Sequence, residues 1–256
     1  MDNIAVVFPG QGVQYVGMGK DVYEKHPFVK DIFDKASVAA GFNVSKMCFE
    51  SDEKNLTNTT YLQPCLVTVS VALYNVMQME FGITPRLLAG NSLGEISALI
   101  CSGAIKFEDG IEISKYRGRY MGEIDVDGAM AAINGINPET ILEKTIEFST
   151  NENYINVSNF NSPTQTVISG MRLAVDELCA IFESMGATTV HLKTSAPFHT
   201  RLMMPAGEKF KDLIKNYKFN NINIPVISNV TAIPYAETDS IYELLPLQIV
   251  DRKSVV

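Results

Sequence analysis

Residues 86–105 constrain this chain more than any other segment. Arg86-Leu87-Leu88-Ala89-Gly90 reads as a buried strand, and it leads directly into Gly90-Asn91-Ser92-Leu93-Gly94 and a helical run from Ile96 to Ile105. G-x-S-x-G between a strand and a helix is the pattern of a nucleophile elbow. The turn is so sharp that glycines must flank it, and it leaves the serine hydroxyl exposed. The following helix offers free N–H groups, so the Leu93 amide is placed to stabilise an oxyanion. The five residues alone also fit a plain strand-to-helix turn whose serine caps the helix. The flanking strand and helix favour the elbow.

An elbow needs a sheet beneath it, and the rest of the chain supplies one. Ile4–Phe8, ended by Pro9-Gly10, has the look of a buried parallel strand, and Gly10-Gln11-Gly12 forms the loop after it. Helical patterning follows over 17–40 with a break at Pro27, then over 62–80 and 107–123. The middle section changes character. A strand over 129–134, a helix over 137–148, a hairpin of 155–160 with 164–169, a helix over 172–186 and a strand over 188–192 give the order β-α-β-β-α-β. That is the ferredoxin-like split unit. The fold class predicted is therefore α/β, with a ferredoxin-like α+β small domain over 127–194 inserted in a larger domain formed by 1–126 and 195–256. A helix over 203–217 and a strand over 224–228 rejoin the main sheet. A chain of 256 residues accommodates this division.

Composition removes several classes. The formal charge is −8, which argues against general nucleic-acid binding. The four cysteines, Cys48, Cys65, Cys101 and Cys179, show no CxxC spacing, so they read as buried thiols rather than a metal site. The N-terminus lacks a basic n-region, and no apolar run approaches a membrane span, so a cytoplasmic protein is expected.

A serine nucleophile near neutral pH needs a base, and the chain has three histidines. His26 precedes Pro27 on a polar helix and is expected to face solvent. His191 lies in the apolar strand that ends the small domain. His199, in Thr194-Ser195-Ala196-Pro197-Phe198-His199-Thr200, falls where the chain re-enters the large domain. A loop at a domain junction is a natural place for a catalytic group, which favours His199. Arg117 and Arg119, with Lys115 beside them, read from the residues alone as a solvated helix face.

Together the motifs resemble the malonyl-CoA:acyl-carrier-protein transacylase family, nearly end to end. The landmarks are Phe8-Pro9-Gly10-Gln11-Gly12, Gln63-Pro64, Gly90–Glu95, Tyr116–Met121, Gly128–Ala132, Asn159–Pro163, Ser195–His199 and Ser228-Asn229-Val230. The resemblance implies a hydrolase-like large domain with the ferredoxin-like insertion. It implies Ser92 as the acylated nucleophile, His199 as its base, and Gln248 as the residue whose backbone carbonyl orients that base. The amides of Gln11 and Leu93 would form the oxyanion hole. Arg117 would hold the malonyl carboxylate, a role that suits a planar guanidinium. Gln63, Met121 and Phe198 would line the acyl pocket, with Phe198 crowding an α-methyl branch. The implied substrates are malonyl-CoA and a phosphopantetheinylated acyl carrier protein, for fatty-acid or polyketide synthesis, with no metal and no cofactor.

Some positions depart from the family. Asn91 stands where a His is usual, Gly122 where a Gln is common, and Val13 where a Ser is usual. The family also continues after Gln248 with a Pro-Val-x-Trp-like segment, a helix and a strand. This chain has Ile249 to Val256 and no Trp, and loss of a strand next to the site is expected either to weaken the role of Gln248 or to expose a sheet edge to a partner. Two other readings share the fold: a hydrolase that clears stalled acyl chains from carrier proteins, and a non-catalytic docking module. The first has no use for a carboxylate clamp, and the second none for an intact Ser92, His199 and Gln11.

Overall fold

A computed structural model describes residues 3–194 and 196–250. Ser195 and residues 251–256, on which part of the re-entry loop and the divergent C-terminal segment fall, lie outside the described residues. Strand β1 (Ala5–Phe8) is followed by four helices, α1 (Lys20–Lys25), α2 (Pro27–Ala40), α3 (Val44–Glu50) and α4 (Glu53–Thr57), and then by the long α5 (Thr59–Phe81). Strand β2 (Leu87–Gly90) pairs in parallel with β1, from Ala5 opposite Leu87 to Phe8 opposite Gly90. Helices α6 (Gly94–Cys101) and α7 (Phe107–Gly122) come next.

Pro27 separates α1 from α2, as expected, but His26 between them is buried. Its Nε2 lies 3.5 Å from Glu80 Oε1 at the end of α5. The kink before the proline turns the ring inward rather than to solvent. The strand expected over 224–228 is reduced to a single parallel bridge between Leu88 and Val226. Pro225 has no N–H to extend the ladder, and the chain turns back so that Ile227 bridges Pro234.

The middle of the chain builds a second sheet from β3 (Gly128–Asn134), β4 (Ile155–Ser162), β5 (Gln165–Met171) and β6 (Thr188–His191), with α8 (Pro138–Phe148) and α9 (Arg172–Ser184) between them. The strand order is β4-β5-β3-β6, and every neighbouring pair is antiparallel. Strand periodicity divides its faces. Ala129, Ala131 and Ile133 of β3 pack with Ile141, Leu178 and Phe182 of the helices. Met130 and Ala132 point the other way, where with Val167 they meet Phe198. His191 lies on the outer strand, half-exposed and 3.8 Å from Asp176, not inside an apolar strand. Cys48, Cys65 and Cys179 are buried and Cys101 is half-buried. Burial pushes the Cys179 thiol up to about 11, as suits an inert thiol.

The last helices are α10 (Met204–Ile214) and α11 (Ile241–Val250), which pack on each other and on the first core. Among the described residues no helix is long and apolar enough to cross a membrane.

Between β2 and α6 the backbone makes the expected sharp turn. Ser92 sits at φ 51°, a left-handed conformation rare for a residue with a side chain. The Asn91 amide donates to the Phe8 carbonyl at 2.9 Å, which ties the turn to β1. A Cβ on Gly90 would lie 2.0 Å from the Gly94 carbonyl carbon, and one on Gly94 would lie 2.2 Å from the Phe8 carbonyl oxygen. Both flanking glycines are therefore required by backbone contacts that cannot yield. We expect Gly94→Ala to cost at least about 3 kcal/mol, at the upper end of overpacking penalties. Chemical denaturation of the variant beside the parent checks this; a loss under about 1 kcal/mol would contradict the packing described.

Candidate active site

The elbow carries Ser92 to the place where three other segments converge. His199 follows the second sheet, and its Nε2 lies 2.9 Å from Ser92 Oγ. Its Nδ1 lies 2.7 Å from the backbone carbonyl of Gln248 on α11. A carbonyl only accepts, so Nδ1 carries the proton and Nε2 is left as the acceptor for the serine hydroxyl. His199 is also at positive φ, 60°. Its loop is held by the second sheet: Ser169 Oγ of β5 donates to the Phe198 carbonyl at 2.9 Å. Two strained residues thus face each other, each pinned by its surroundings.

Ser92 is fixed from the far side by Asn229. Its Oδ1 accepts from the Ser92 amide at 2.8 Å, and its Nδ2 donates to the Gly90 carbonyl at 2.6 Å. One carboxamide therefore spans the turn. Sequence reasoning placed Asn229 only as a landmark and gave it no task. The available signal was a polar Ser228-Asn229 pair directly after the apolar 224–227.

Arg117, on α7, is fully buried, which overturns its reading as part of a solvated helix face. Its neighbour two residues on, Arg119, is the exposed one and pairs with Glu123 at 2.6 Å. The helix period separates them, one side facing the core and the other water. Arg117 Nη1 donates to Gln63 Oε1 at 2.9 Å. Its Nη2 donates to Ser92 Oγ at 3.0 Å and to Gln248 Oε1 at 2.8 Å. Gln63 in turn donates from Nε2 to Gln11 Oε1 at 2.8 Å and touches the Met121 sulfur at 3.7 Å. Thr59 Oγ1, which donates to the Gly118 carbonyl at 2.6 Å, holds α5 against α7 so that Gln63 and Arg117 meet.

Over Ser92 and His199 lies a cleft of about 1540 Å³, with Gln63, Arg117 and Gln248 buried behind its wall. Gln11, Ser92, Met121 and His199 line one wall, and Met130, Ala132 and Val167 of the second sheet line the other. Phe198 stands between them. Asn91, where a His was usual, also borders it. Among the described residues neither the Gln11 nor the Leu93 amide donates to a protein acceptor. The arrangement can activate a serine and receive a developing negative charge, with a buried cation 3.0 Å from the serine oxygen.

A glutamate absent from the expected set completes the centre. Glu95, the second residue of α6, is fully buried and accepts from the Gln248 side chain. It also accepts from the Asn229 amide at 3.0 Å and the Tyr235 hydroxyl at 2.7 Å. Burial, and then the nearby Glu95 carboxylate, raise the Tyr235 phenol. A carboxylate inside the apolar run Gly94–Cys101 was the cue in the sequence, since such residues are rarely buried unless paired.

The acyl transferase domain model matches residues 5–243 of this chain. A malonyl CoA-acyl carrier protein transacylase of Bacillus subtilis is 42% identical over 247 residues, which cover 96% of this chain and 62% of that protein. Another from Bacillus subtilis strain 168 is 40% identical, over 97% of this chain and 79% of its own length. The solved malonyl CoA-acyl carrier protein transacylase of Coxiella burnetii superposes with a TM-score of 0.94 at 34% identity, covering 97% of this chain and 79% of that one. A malonyl-transacylase solved in complex with its type II PKS acyl-carrier protein gives 0.93 at 34% identity, over 98% and 82%. The chain therefore spans less than two thirds of the first relative and about four fifths of the others. The fold is the mixed α/β fold of these transacylases, and the chain belongs to the malonyl CoA-acyl carrier protein transacylases of the acyl transferase domain family.

Proposed function

We infer that this protein moves a malonyl group from coenzyme A to the phosphopantetheine thiol of an acyl carrier protein, in fatty-acid or polyketide synthesis, through an ester on Ser92. The observation that carries this is the buried guanidinium of Arg117, 3.0 Å from the serine oxygen. A buried cation beside a nucleophile suits an acyl group with its own negative charge, and malonyl is such a group.

The geometry supports the following steps. Ser92 Oγ attacks the thioester carbonyl while its proton passes to His199 Nε2. The Nδ1–H, held on the Gln248 carbonyl, keeps the ring in the tautomer that can accept. The amides of Gln11 and Leu93 take the oxyanion. Collapse expels the coenzyme A thiolate, which takes the proton from His199 and leaves malonyl-Ser92. The carrier thiol then gives its proton to His199 Nε2, and its sulfur attacks the ester. The Ser92 oxygen leaves and regains that proton, so the enzyme returns unchanged. Water is the competitor in the second half. The apolar wall of Met130, Ala132, Val167 and Phe198 supports preference for a thiol on a long arm.

Two finer readings accompany this. The chain divides into a hydrolase-like large domain, 1–126 and 195–256, and a ferredoxin-like insertion, 127–194. The strand order β4-β5-β3-β6 and the separate apolar cores support the division. Work on coenzyme A thioesters supports a cytoplasmic site of action. A hydrolase of neutral acyl chains would have no use for Arg117.

Ser92→Ala is expected to form no acyl-enzyme with malonyl-CoA. Arg117→Ala should lower the malonyl loading rate about 100-fold or more, as loss of charge-assisted hydrogen bonds of about 1.5–3 kcal/mol each implies. Acetyl loading should fall about tenfold or less, by the same conversion. Stopped-time loading assays with both thioesters measure this, and equal losses would contradict the carboxylate role of Arg117.

A further inference from the structure

Nothing in the steps above uses Glu95, yet burying a carboxylate in an apolar helix is costly unless it is well paired. Its Oε1 accepts from the Asn229 amide and the Tyr235 hydroxyl, and its Oε2 accepts from Gln248 Nε2. These three partners all donate, as suits a carboxylate, which only accepts. The Gln248 carboxamide stands between two opposite charges. Its oxygen takes Arg117 Nη2 at 2.8 Å, while its nitrogen gives to Glu95 and, at 2.8 Å, to the Ser92 carbonyl. Reversing the amide would set NH₂ against a guanidinium and C=O against a carboxylate. Only one orientation of the Gln248 side chain therefore fits. The same residue's backbone carbonyl receives His199 Nδ1 at 2.7 Å. A side chain locked at its tip restrains the peptide at its base.

We propose that Glu95 is a positioning residue, whose carboxylate locks the Gln248 side chain and through it fixes the backbone carbonyl that aims His199 at Ser92. The proposal rests on the Ser92–His199 reading given above. It puts an acidic member behind a serine–histidine pair whose imidazole Nδ1 is held by a backbone carbonyl. The carboxylate acts one residue further back, through Gln248.

The test is a double-mutant cycle read by a probe that needs no malonyl group. Glu95→Gln keeps an acceptor for Asn229 and Tyr235 but turns an NH₂ toward Gln248 Nε2. Gln248→Met removes the locked amide and keeps the backbone carbonyl. The readout is the rate at which a fluorophosphonate modifies Ser92, followed by intact mass, with Ser92→Ala as the blank. Each single variant is expected to label about 10- to 100-fold more slowly, the order expected when a reacting group is displaced by about an ångström. The double variant is expected to match the slower single within about threefold, because both changes break one path. Losses that multiply in the double variant, or a Glu95→Gln rate equal to the parent's, would overturn the proposal. Should Glu95→Gln not fold, Glu95→Asp, which keeps the charge but withdraws it from Gln248, enters the same cycle with the same expectation. Absence of labelling in the parent would instead count against the serine–histidine reading itself.

Discussion

A guanidinium with no solvent exposure, 3.0 Å from a serine oxygen, has to be compensated from inside the protein. Arg117 meets that demand through Gln63, Ser92 and Gln248, and Gln248 passes the contact on to the buried carboxylate of Glu95. Partners from α5, the elbow, α6 and α11 are thereby brought to one point. In the low dielectric of such a site, a buried polar group left without its partner costs about 1–3 kcal/mol, and more for a charged one. The charged centre is thus a structural requirement, whatever else it does at the serine.

The second constraint is backbone strain. Ser92 and His199 both adopt left-handed conformations that cost about 1–3 kcal/mol each in residues with side chains. The strain persists because each backbone is held from more than one side. Asn229 spans the elbow, Phe8 receives the Asn91 amide, and Ser169 holds the loop before His199. The reactive pair is therefore set by two sheets at once. The elbow comes from the parallel strands, and the histidine loop leans on the antiparallel sheet whose Met130 and Ala132 face the cleft. The cleft exists because strand alternation turns one apolar face of that sheet to its helices and the other toward Phe198.

Local signals in the sequence carried much of this. The elbow was readable because glycines on both sides of Ser92 have no substitute in so tight a turn. The β-α-β-β-α-β order was readable because period and turn residues change at each boundary. His199 stood out by its place in the loop that follows the second sheet. What escaped was decided by tertiary contact. His26 is buried because a proline kink aims it at Glu80, some fifty residues away in sequence. The strand at 224–228 shrank because Pro225 cannot donate. Arg117 looked like a surface residue among Lys115 and Arg119, and only the family resemblance gave it a site. Glu95 and Asn229 were seen as landmarks without a task, because their partners lie more than a hundred residues away in sequence.

The most direct test of the central claim is intact-protein mass spectrometry of the unmodified protein, mixed briefly with malonyl-CoA or acetyl-CoA and then with a carrier protein bearing its phosphopantetheine arm. The account predicts a malonyl adduct on Ser92 that forms in preference to acetyl and passes to the carrier thiol. An acetyl or longer acyl adduct lost to water, with no malonyl adduct, would contradict it and point to a hydrolase.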